Sequence, residues 1–372
     1  MQSDALERRL AELLARGVVL VDPRQTYVAP EVVPQRVAAG AVLHPGARLL
    51  GARTFVGPGA QVGAEGPATL VDAVLGPDAV VDSGFVHGAV LLAGARLGSN
   101  AHVRPGTLLE ESASTAHAVG LKHSVLLAFV TLGSLINFCD VLMAGGTSRK
   151  DHSEVGSGFI HFNFTPWGRS GDKATPSLVG DVVEGVFLRR ARIFLGGAGG
   201  MIGPRRVGYG AVAAAGQVVR RDVAADTLVA QNAPAIAKPL ARFHLDRDEP
   251  RAARNCEYIA QLVALRIWYR AVRRARVPEG EAGSVDRVLI DAAIETLGEC
   301  IDERVTRLKS FLAERGRPMP TLALEPDVAC PFSLAPASVP NDHLAWVQSL
   351  SDDRVADGVA WLRAVTEAVR SN

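Results

Sequence analysis

The sequence predicts an all-β fold, a left-handed parallel β-helix of hexapeptide repeats, with an N-terminal helix and a C-terminal α-helical domain. The main observation is that apolar residues recur at intervals of six, often followed by glycine or another small residue. Four runs keep this interval: Leu50, Val56 and Val62; Leu75 and Val81; Leu91, Leu97, Val103 and Leu109; and Val207, Ala213 and Val219. Such a period is typical of short strands that stack coil upon coil around a narrow core. The content of 5% aromatic residues fits that core, whereas a sandwich would show a period of two.

Three segments are expected: an N-terminal helix in residues 1–19, the β-helix in 20–238 and a separate helical domain in 239–372. In the first segment Ser3 can cap a helix, and Gly17 is placed to end it. The leucines between them recur at helical spacing: Leu6, Leu10, Leu13 and Leu14. Within the β-helix the interval of six falters between about 120 and 175, which predicts irregular loops.

Beyond Asp222 the interval of six stops, and apolar residues take helical spacing in stretches near 248–276, 284–315 and 340–370. Five arginines of the first stretch form a basic cluster, and the first four are predicted to share a solvated helix face, with a nucleic-acid or phosphate site as the alternative. The five are Arg266, Arg270, Arg273, Arg274 and Arg276.

Charge and cysteine content exclude several classes of protein. Lys and Arg total 40 against 39 for Asp and Glu, so the chain has no global field to attract nucleic acid or anionic membrane. No apolar run reaches the length of a bilayer span, and the first ten residues lack the apolar segment of a signal peptide. The four cysteines show no CxxC spacing, which predicts free thiols. We therefore expect a cytoplasmic protein without nucleic-acid or membrane partners.

Potential catalytic groups gather where the six-residue interval falters. His152, His161 and Asn163 lie in one segment, Asp140 precedes it and Lys173 follows it. A histidine titrates near neutrality and suits general-base catalysis, whereas an aspartate needs a raised pKa or a histidine partner. The base is therefore left open among Asp140, His152 and His161.

Residues from about 20 to 238 resemble the acetyltransferase half of the bacterial bifunctional N-acetylglucosamine-1-phosphate uridyltransferase and glucosamine-1-phosphate acetyltransferase. The matching segments are Asp22-Pro23, Val103 to Glu110, Gly158 to Phe164, Asp172-Lys173, Val179 to Asp181 and Ala213 to Val223. The run Val103-Arg104-Pro105-Gly106-Thr107-Leu108-Leu109-Glu110 and the Asn163-Phe164 pair carry most of the specificity.

The resemblance implies a homotrimer with active sites between subunits, acetyl-CoA as the donor and a sugar phosphate or nucleotide sugar as the small-molecule partner. Four residues would bind the substrate, with Arg104 on its phosphate: Arg104, Lys122, Asn163 and Lys173. Ala213 and Arg220 would contact acetyl-CoA. The predicted function is thus a CoA-dependent acyltransferase acting on a phosphorylated or nucleotide-linked amino sugar.

The sequence also departs from that family. Asp140 stands at the position of the catalytic histidine and Met143 at that of a nearby tyrosine, and no Gly-rich nucleotide loop of a uridyltransferase precedes the β-helix. These departures keep open a non-catalytic sugar-nucleotide-binding or assembly scaffold. A zinc enzyme like the β-helical carbonic anhydrases is a third alternative, with four histidines as possible ligands. These are His117, His123, His152 and His161.

Overall fold

The computed structural model describes residues 2–162, 175–230, 248–334 and 342–370. It is a parallel β-solenoid with an N-terminal helix and C-terminal helices, which confirms the predicted fold class. Each coil contributes a short strand to each of three faces, here called face A, face B and face C.

Face A is a sheet of 11 parallel strands in the described residues. Its strands are Val19–Leu20, Val42–Leu43, Gln61–Val62, Val80–Val81, Arg96–Leu97, Ser114–Thr115, Thr131–Leu132, Glu154–Val155, Phe194–Leu195, Val212–Ala213 and Leu228–Val229.

Faces B and C join into one sheet because Gly120–Leu126 and Asn137–Met143 run around the corner between them. Face B consists of Tyr27–Val28, Ala47–Leu50, Ala68–Val71, Gly84–His87, Ala101–Val103, the first halves of the two long strands, Ile160–Phe162, Gly200–Ile202 and Val218–Val219. Face C consists of Phe55–Val56, Val74–Leu75, Ala89–Leu91, Thr107–Leu109, the second halves of the long strands, Ser177–Val179 and Arg206–Val207.

The solenoid interior is filled by one aliphatic side chain per strand, as the interval of six predicts. On face A, Val62 pairs with Val81, and both are fully buried. The prediction of irregular loops is wrong for residues 120–143, because the coils continue in register through Gly120–Leu126 and Asn137–Met143. Strands Glu154–Val155 and Ile160–Phe162 extend the coils further. Between Met143 and Glu154, residues 144–153 form an irregular connection, as predicted, and residues 163–174 lie outside the described residues. Not all polar residues of this stretch face outward, because His161 occupies an inward position of strand Ile160–Phe162 and is 3% exposed.

Helix α1, Gln2–Ala15, covers the first coil. Leu10 and Leu13 are buried in the solenoid core, and the Arg9 Nε donates to the carbonyl of Val28 at 3.1 Å. Leu14 is 48% exposed, so it lies outside the buried stripe that the leucine spacing suggested. The chain leaves the helix through Gly17 at φ +87°, a conformation that glycine adopts at little cost.

The remaining helices are a single turn, α2 (Val182–Gly185), and four C-terminal helices, α3 (Asp248–Trp268), α4 (Ser284–Ala313), α5 (His343–Ser349) and α6 (Asp352–Arg370). None of the helices in the described ranges contains a stretch that is long and apolar enough to cross a membrane.

The C-terminal helices and face C share one hydrophobic core. Outward-facing apolar residues run along face C in adjacent coils, and all of them are buried in that shared core. They are Phe55, Val74, Val90, Leu108, Val125, Leu142 and Leu178. Burial of side chains of this size stabilises by roughly 1.5–3 kcal/mol each. The helical region is therefore packed on the solenoid, while the boundary expected at residue 238 stays a prediction.

Three of the five clustered arginines are buried, which corrects the expectation of a solvated face: Arg266, Arg273 and Arg276 are at most 9% exposed. Arg273 forms an ion pair with Glu111 of the solenoid, and its guanidinium lies 4.6 Å from the centre of the Tyr269 ring. Arg266 and Arg270 both pair with Glu325, so these arginines contact other parts of the protein.

Candidate functional site

The corner between faces B and C is built from a column of residues with left-handed backbone. Gly88, Gly106, His123 and Asp140 follow one another in successive coils with φ between +45° and +75°. Glycine adopts this conformation freely, whereas other residues rarely do. His123 and Asp140 share this corner conformation with Asp72, an earlier residue of the same column.

His123 and Asp140 meet two charged residues of helix α4 at this corner. The Nδ1 of His123 lies 3.6 Å from the Oδ1 of Asp140 and 3.8 Å from the Oε1 of Glu303. Arg304 contacts Asp140 at 2.9 Å and Glu303 at 2.8 Å. The His123 side chain is 16% exposed, while those of Asp140 and Arg304 are almost fully enclosed. We call these four residues the corner cluster.

Arg304 is the positively charged partner of the two carboxyl groups in the corner cluster. Burial alone raises the pKa of Glu303, but Arg304 and Arg307 outweigh it, so the pKa of this carboxyl lies below its ordinary value. Burial likewise lowers the pKa of Arg304, and Asp140 and Glu303 more than reverse that effect. The guanidinium and the Glu303 carboxylate are consequently both charged at neutral pH.

His161 lies beside the corner cluster but is fully enclosed. Its Nδ1 is 2.7 Å from the carbonyl of Cys139, and its Nε2 is 2.8 Å from the hydroxyl of Ser177. Since a carbonyl only accepts, Nδ1 donates and Nε2 accepts from Ser177. Burial lowers the pKa of His161 to about 4. His161 is therefore a neutral imidazole at neutral pH with both ring nitrogens engaged inside the protein.

Two cations flank the corner cluster on face B. Arg104 and Lys122 lie in adjacent coils, because Val103 pairs with Leu121 immediately before them. Lys122 in turn pairs with Cys139, whose sulfur is 3.5 Å from the Nη2 of Arg104. Burial raises the pKa of Cys139, so this residue is a neutral thiol. The side chains of Arg104 and Lys122 point outward beside the corner and can bind an anion there.

The predicted catalytic and substrate-binding residues are thus only partly brought together. Asp140, His161, Arg104 and Lys122 are at or beside the corner. Asn163 and Lys173 lie outside the described residues, in the segment between the face B strand Ile160–Phe162 and the face C strand Ser177–Val179.

His152 is placed elsewhere. It precedes the face A strand Glu154–Val155, where its Nδ1 donates to the carbonyl of Arg149 at 3.0 Å. Its Nε2 is 3.7 Å from Glu154, and it lines a groove of about 660 Å³ with Arg192 and Phe194. Asp140 lies on the corner between faces B and C, so the two residues do not form a pair.

The two residues assigned to acetyl-CoA differ in accessibility. Ala213 points into the solenoid core and is 3% exposed, so only its backbone is available to a ligand. Arg220 is exposed on the face B side, after strand Val218–Val219. Their role in donor binding stays a prediction.

The corner cluster contains three residues that could be metal ligands. One ligand atom each from His123, Asp140 and Glu303 lies within 4.8 Å of the others. Arg304 already forms ion pairs with both Asp140 and Glu303, however, and its guanidinium would repel a metal cation placed beside it. The four histidines considered as zinc ligands are spread over the fold, since His117 is exposed at a bend, His152 is on face A and His161 is enclosed.

Gly106, from the motif that contains Arg104, supports the ring of His123. A side chain at Gly106 would overlap that ring and approach Cys300 of helix α4. Gly106→Ala is expected to lower the free energy of unfolding by more than the roughly 1–2 kcal/mol of a left-handed alanine. Urea denaturation measures the loss.

Gly216→Ala is the matched control for that prediction, because Gly216 has the same φ of +75° with nothing within 4 Å of a new Cβ. Its loss should reflect the backbone alone. Equal losses for the two variants would show that Gly106 does not support His123.

Three contributions to the site were missed by sequence reasoning: His123 as a partner of Asp140, and Glu303 and Arg304 as members of the cluster. A signal existed for Arg304, because it continues the apolar helical spacing of Leu297, Ile301 and Leu308. An arginine in a buried stripe requires a carboxylate partner.

No protein-family profile matches the chain. Curated relatives are proteins named bifunctional protein GlmU. That of Nocardia farcinica is 30% identical over 218 residues, which are 59% of this chain and 39% of the relative. That of Kineococcus radiotolerans is 29% identical over 234 residues, 63% of this chain and 42% of the relative. That of Thermus thermophilus is 36% identical over 160 residues, 43% of this chain and 33% of the relative.

The chain therefore spans about two fifths of the length of the first two of these relatives. The parallel β-solenoid agrees with the hexapeptide-repeat half that the sequence motifs resemble. By sequence and by fold, this chain is similar to the hexapeptide-repeat acetyltransferase half of bifunctional protein GlmU.

Proposed function

We propose that the protein is a CoA-dependent acyltransferase that acts on a phosphorylated or nucleotide-linked amino sugar, with acetyl-CoA as co-substrate. The observation that carries the proposal is the position of His123 beside Asp140, next to the outward cations Arg104 and Lys122. The similarity to bifunctional protein GlmU supports the same class of reaction.

His123 is the general base in this proposal, in place of His152 or His161. Its Nδ1 faces Asp140 and Glu303, which leaves Nε2 for the acceptor amine. A carboxylate that holds one ring nitrogen orients the imidazole and stabilises its protonated form, as in hydrolase triads. His161 is enclosed and already accepts a hydrogen bond from Ser177, so it serves as a positioning residue for the Cys139–Asp140 backbone.

The chemical step balances with these groups. The acceptor ammonium releases one proton to solvent, and the free amine attacks the thioester carbon while His123 takes a second proton from the attacking nitrogen. A nitrogen–carbon bond forms, the carbon–sulfur bond breaks, and the leaving thiolate receives that proton from His123. Arg104 and Lys122 bind the acceptor phosphate, because a guanidinium and an ammonium form charge-assisted hydrogen bonds to phosphate oxygens.

The proposal includes a homotrimer in the cytoplasm. Face C is covered by the C-terminal helices, so faces A and B are the strand surfaces left for contacts between subunits. Sedimentation at micromolar concentration is expected to give a trimer, and a monomer would remove an active site built between subunits.

A non-catalytic sugar-nucleotide-binding scaffold is the second candidate. It is favoured by the state of Asp140, which replaces the histidine of the resembled family and is held by Arg304 at only 5% exposure. Such a scaffold would bind the sugar nucleotide at Arg104 and Lys122 but would consume no acyl-CoA.

Arg104→Ala tests the phosphate assignment. Loss of a charge-assisted contact is expected to weaken binding of an amino-sugar phosphate by about 2 kcal/mol, measured by calorimetry. Arg48→Ala is the control, since Arg48 is also exposed on face B but packs over Tyr27, well away from the corner. Unchanged affinity in Arg104→Ala would assign this residue a structural role.

A further inference from the structure

Face B carries two outward columns of side chains that contain no carboxylate between strands Ala47–Leu50 and Ile160–Phe162. The first column is Arg48, Thr69, Phe85, His102, Gly120, Asn137 and Ile160. The second, one step closer to face C, is Leu50, Val71, His87, Arg104, Lys122, Cys139 and Phe162. The chain has 39 acidic residues, yet these two columns contain none of them. This part of face B is therefore suited to bind an anion.

An aromatic stack in the first column stops at a glycine. The rings of Phe85 and His102 are stacked with centroids 5.6 Å apart and an interplanar angle of 28°. Gly120 occupies the next coil and Asn137 the one after it. One face of the His102 ring is covered by Phe85. The other face therefore lies on the side of Gly120, which has no side chain.

The space over Gly120 has the thickness of one planar ring. Neighbouring strands are about 4.8 Å apart, so His102 and Asn137 are separated by roughly 9–10 Å. A flat ring between them needs about 3.5–4 Å on each side. A Cβ built on Gly120 would make ordinary van der Waals contact with the walls of this space, at 3.6 Å from the Oδ1 of Asn137 and 3.9 Å from the carbonyl oxygen of His102. We call this space the Gly120 recess.

Charged groups follow the Gly120 recess in a fixed order along the strand. Lys122 lies two residues on, about 6.6 Å from Gly120 at the usual rise of a strand, with Arg104 in the adjacent coil. His123, at the corner, comes next. A nucleoside diphosphate sugar has the same order: a planar base, then phosphates, then the sugar.

We propose that the Gly120 recess binds the base of a nucleotide-linked acceptor, stacked on His102, with its diphosphate on Arg104 and Lys122 and its sugar at His123. This inference rests on the proposed function and narrows the acceptor to the nucleotide-linked class. The Asn137 amide on the far side of the recess would cover the other face of the base.

Calorimetry with UDP and with inorganic pyrophosphate tests the recess, since both offer a diphosphate but only UDP has a base. UDP is expected to bind the wild-type protein about tenfold more tightly or better, the usual effect of stacking one base. Gly120→Phe fills the recess and should remove this difference while leaving the affinity for pyrophosphate unchanged. An aromatic residue suits an outward strand position, and melting temperature verifies the fold.

Val80→Phe is the matched control, because it adds the same ring at an outward position of face A. It should change neither affinity. Equal affinities for UDP and pyrophosphate in the wild-type protein, or unchanged UDP binding in Gly120→Phe, would overturn the inference.

Titration with CoA separates the acceptor from the donor. If Gly120→Phe weakens CoA binding and leaves UDP binding intact, the recess holds the adenine of the donor and the inference is wrong. Failure of the proposed function has a different signature, namely base-dependent UDP binding without consumption of acyl-CoA.

Discussion

Arg304→Ala is expected to lower the free energy of unfolding by about 3–5 kcal/mol, the usual loss when one partner of a buried ion pair is removed. Arg304 is 2% exposed and contacts both Asp140 and Glu303. Without its guanidinium, the Asp140 carboxylate would remain enclosed next to Glu303. The same contact fastens helix α4 to the solenoid, so the variant should also loosen the helical region. Urea denaturation measures the change.

Arg307→Ala provides the comparison, because Arg307 also contacts Glu303 at 2.8 Å but is 42% exposed. An exposed ion pair contributes at most about 1 kcal/mol. The double variant Arg304→Met with Asp140→Leu should recover much of the stability, since an apolar pair replaces a buried charge pair. A loss below about 1 kcal/mol in Arg304→Ala would show that the corner does not depend on this ion pair.

His123→Ala is expected to reduce kcat by about 100-fold or more, the usual contribution of a general base. The change in KM should be small, because Arg104 and Lys122 would still bind the phosphate. Steady-state kinetics with acetyl-CoA and an amino-sugar phosphate measures both constants.

His152→Ala is the control for the base, since His152 lies on face A away from the corner. It should retain full activity. Asp140→Asn should reduce kcat by less than His123→Ala, because Asp140 positions the imidazole. Full activity in His123→Ala, with loss in Asp140→Asn, would make the carboxylate itself the base.

The solenoid was predictable because its core repeats in the sequence. Aliphatic residues occupy the inward positions at a fixed interval of six. This interval can be recognised within a short segment, even where the outward residues vary. The sequence also indicates that face C is covered by other parts of the protein, although the sequence analysis did not include this prediction. Face C strands carry two consecutive buried apolar residues, as in Leu108-Leu109 and Val125-Leu126, where a strand with a solvated outer face would alternate.

The site was less predictable because its groups come from distant parts of the chain. Asp140 was identified because it stands at the position of the catalytic histidine in the family that the sequence resembles. Its partner was sought among the nearby histidines His152 and His161. Stacking of coils instead brings His123, from the preceding coil, directly beneath it. Arg304 and Glu303 arrive through packing of a helix that carries no part of the repeat. Only a three-dimensional structure joins these elements.

Release of free CoA from acetyl-CoA in the presence of amino-sugar acceptors tests directly whether the protein is an acyltransferase. CoA release is expected to require an acceptor with a phosphate or nucleotide group, and to be reduced about 100-fold in His123→Ala. Binding of UDP-linked sugars without any acceptor-dependent release of CoA would contradict this expectation and would establish the scaffold function instead.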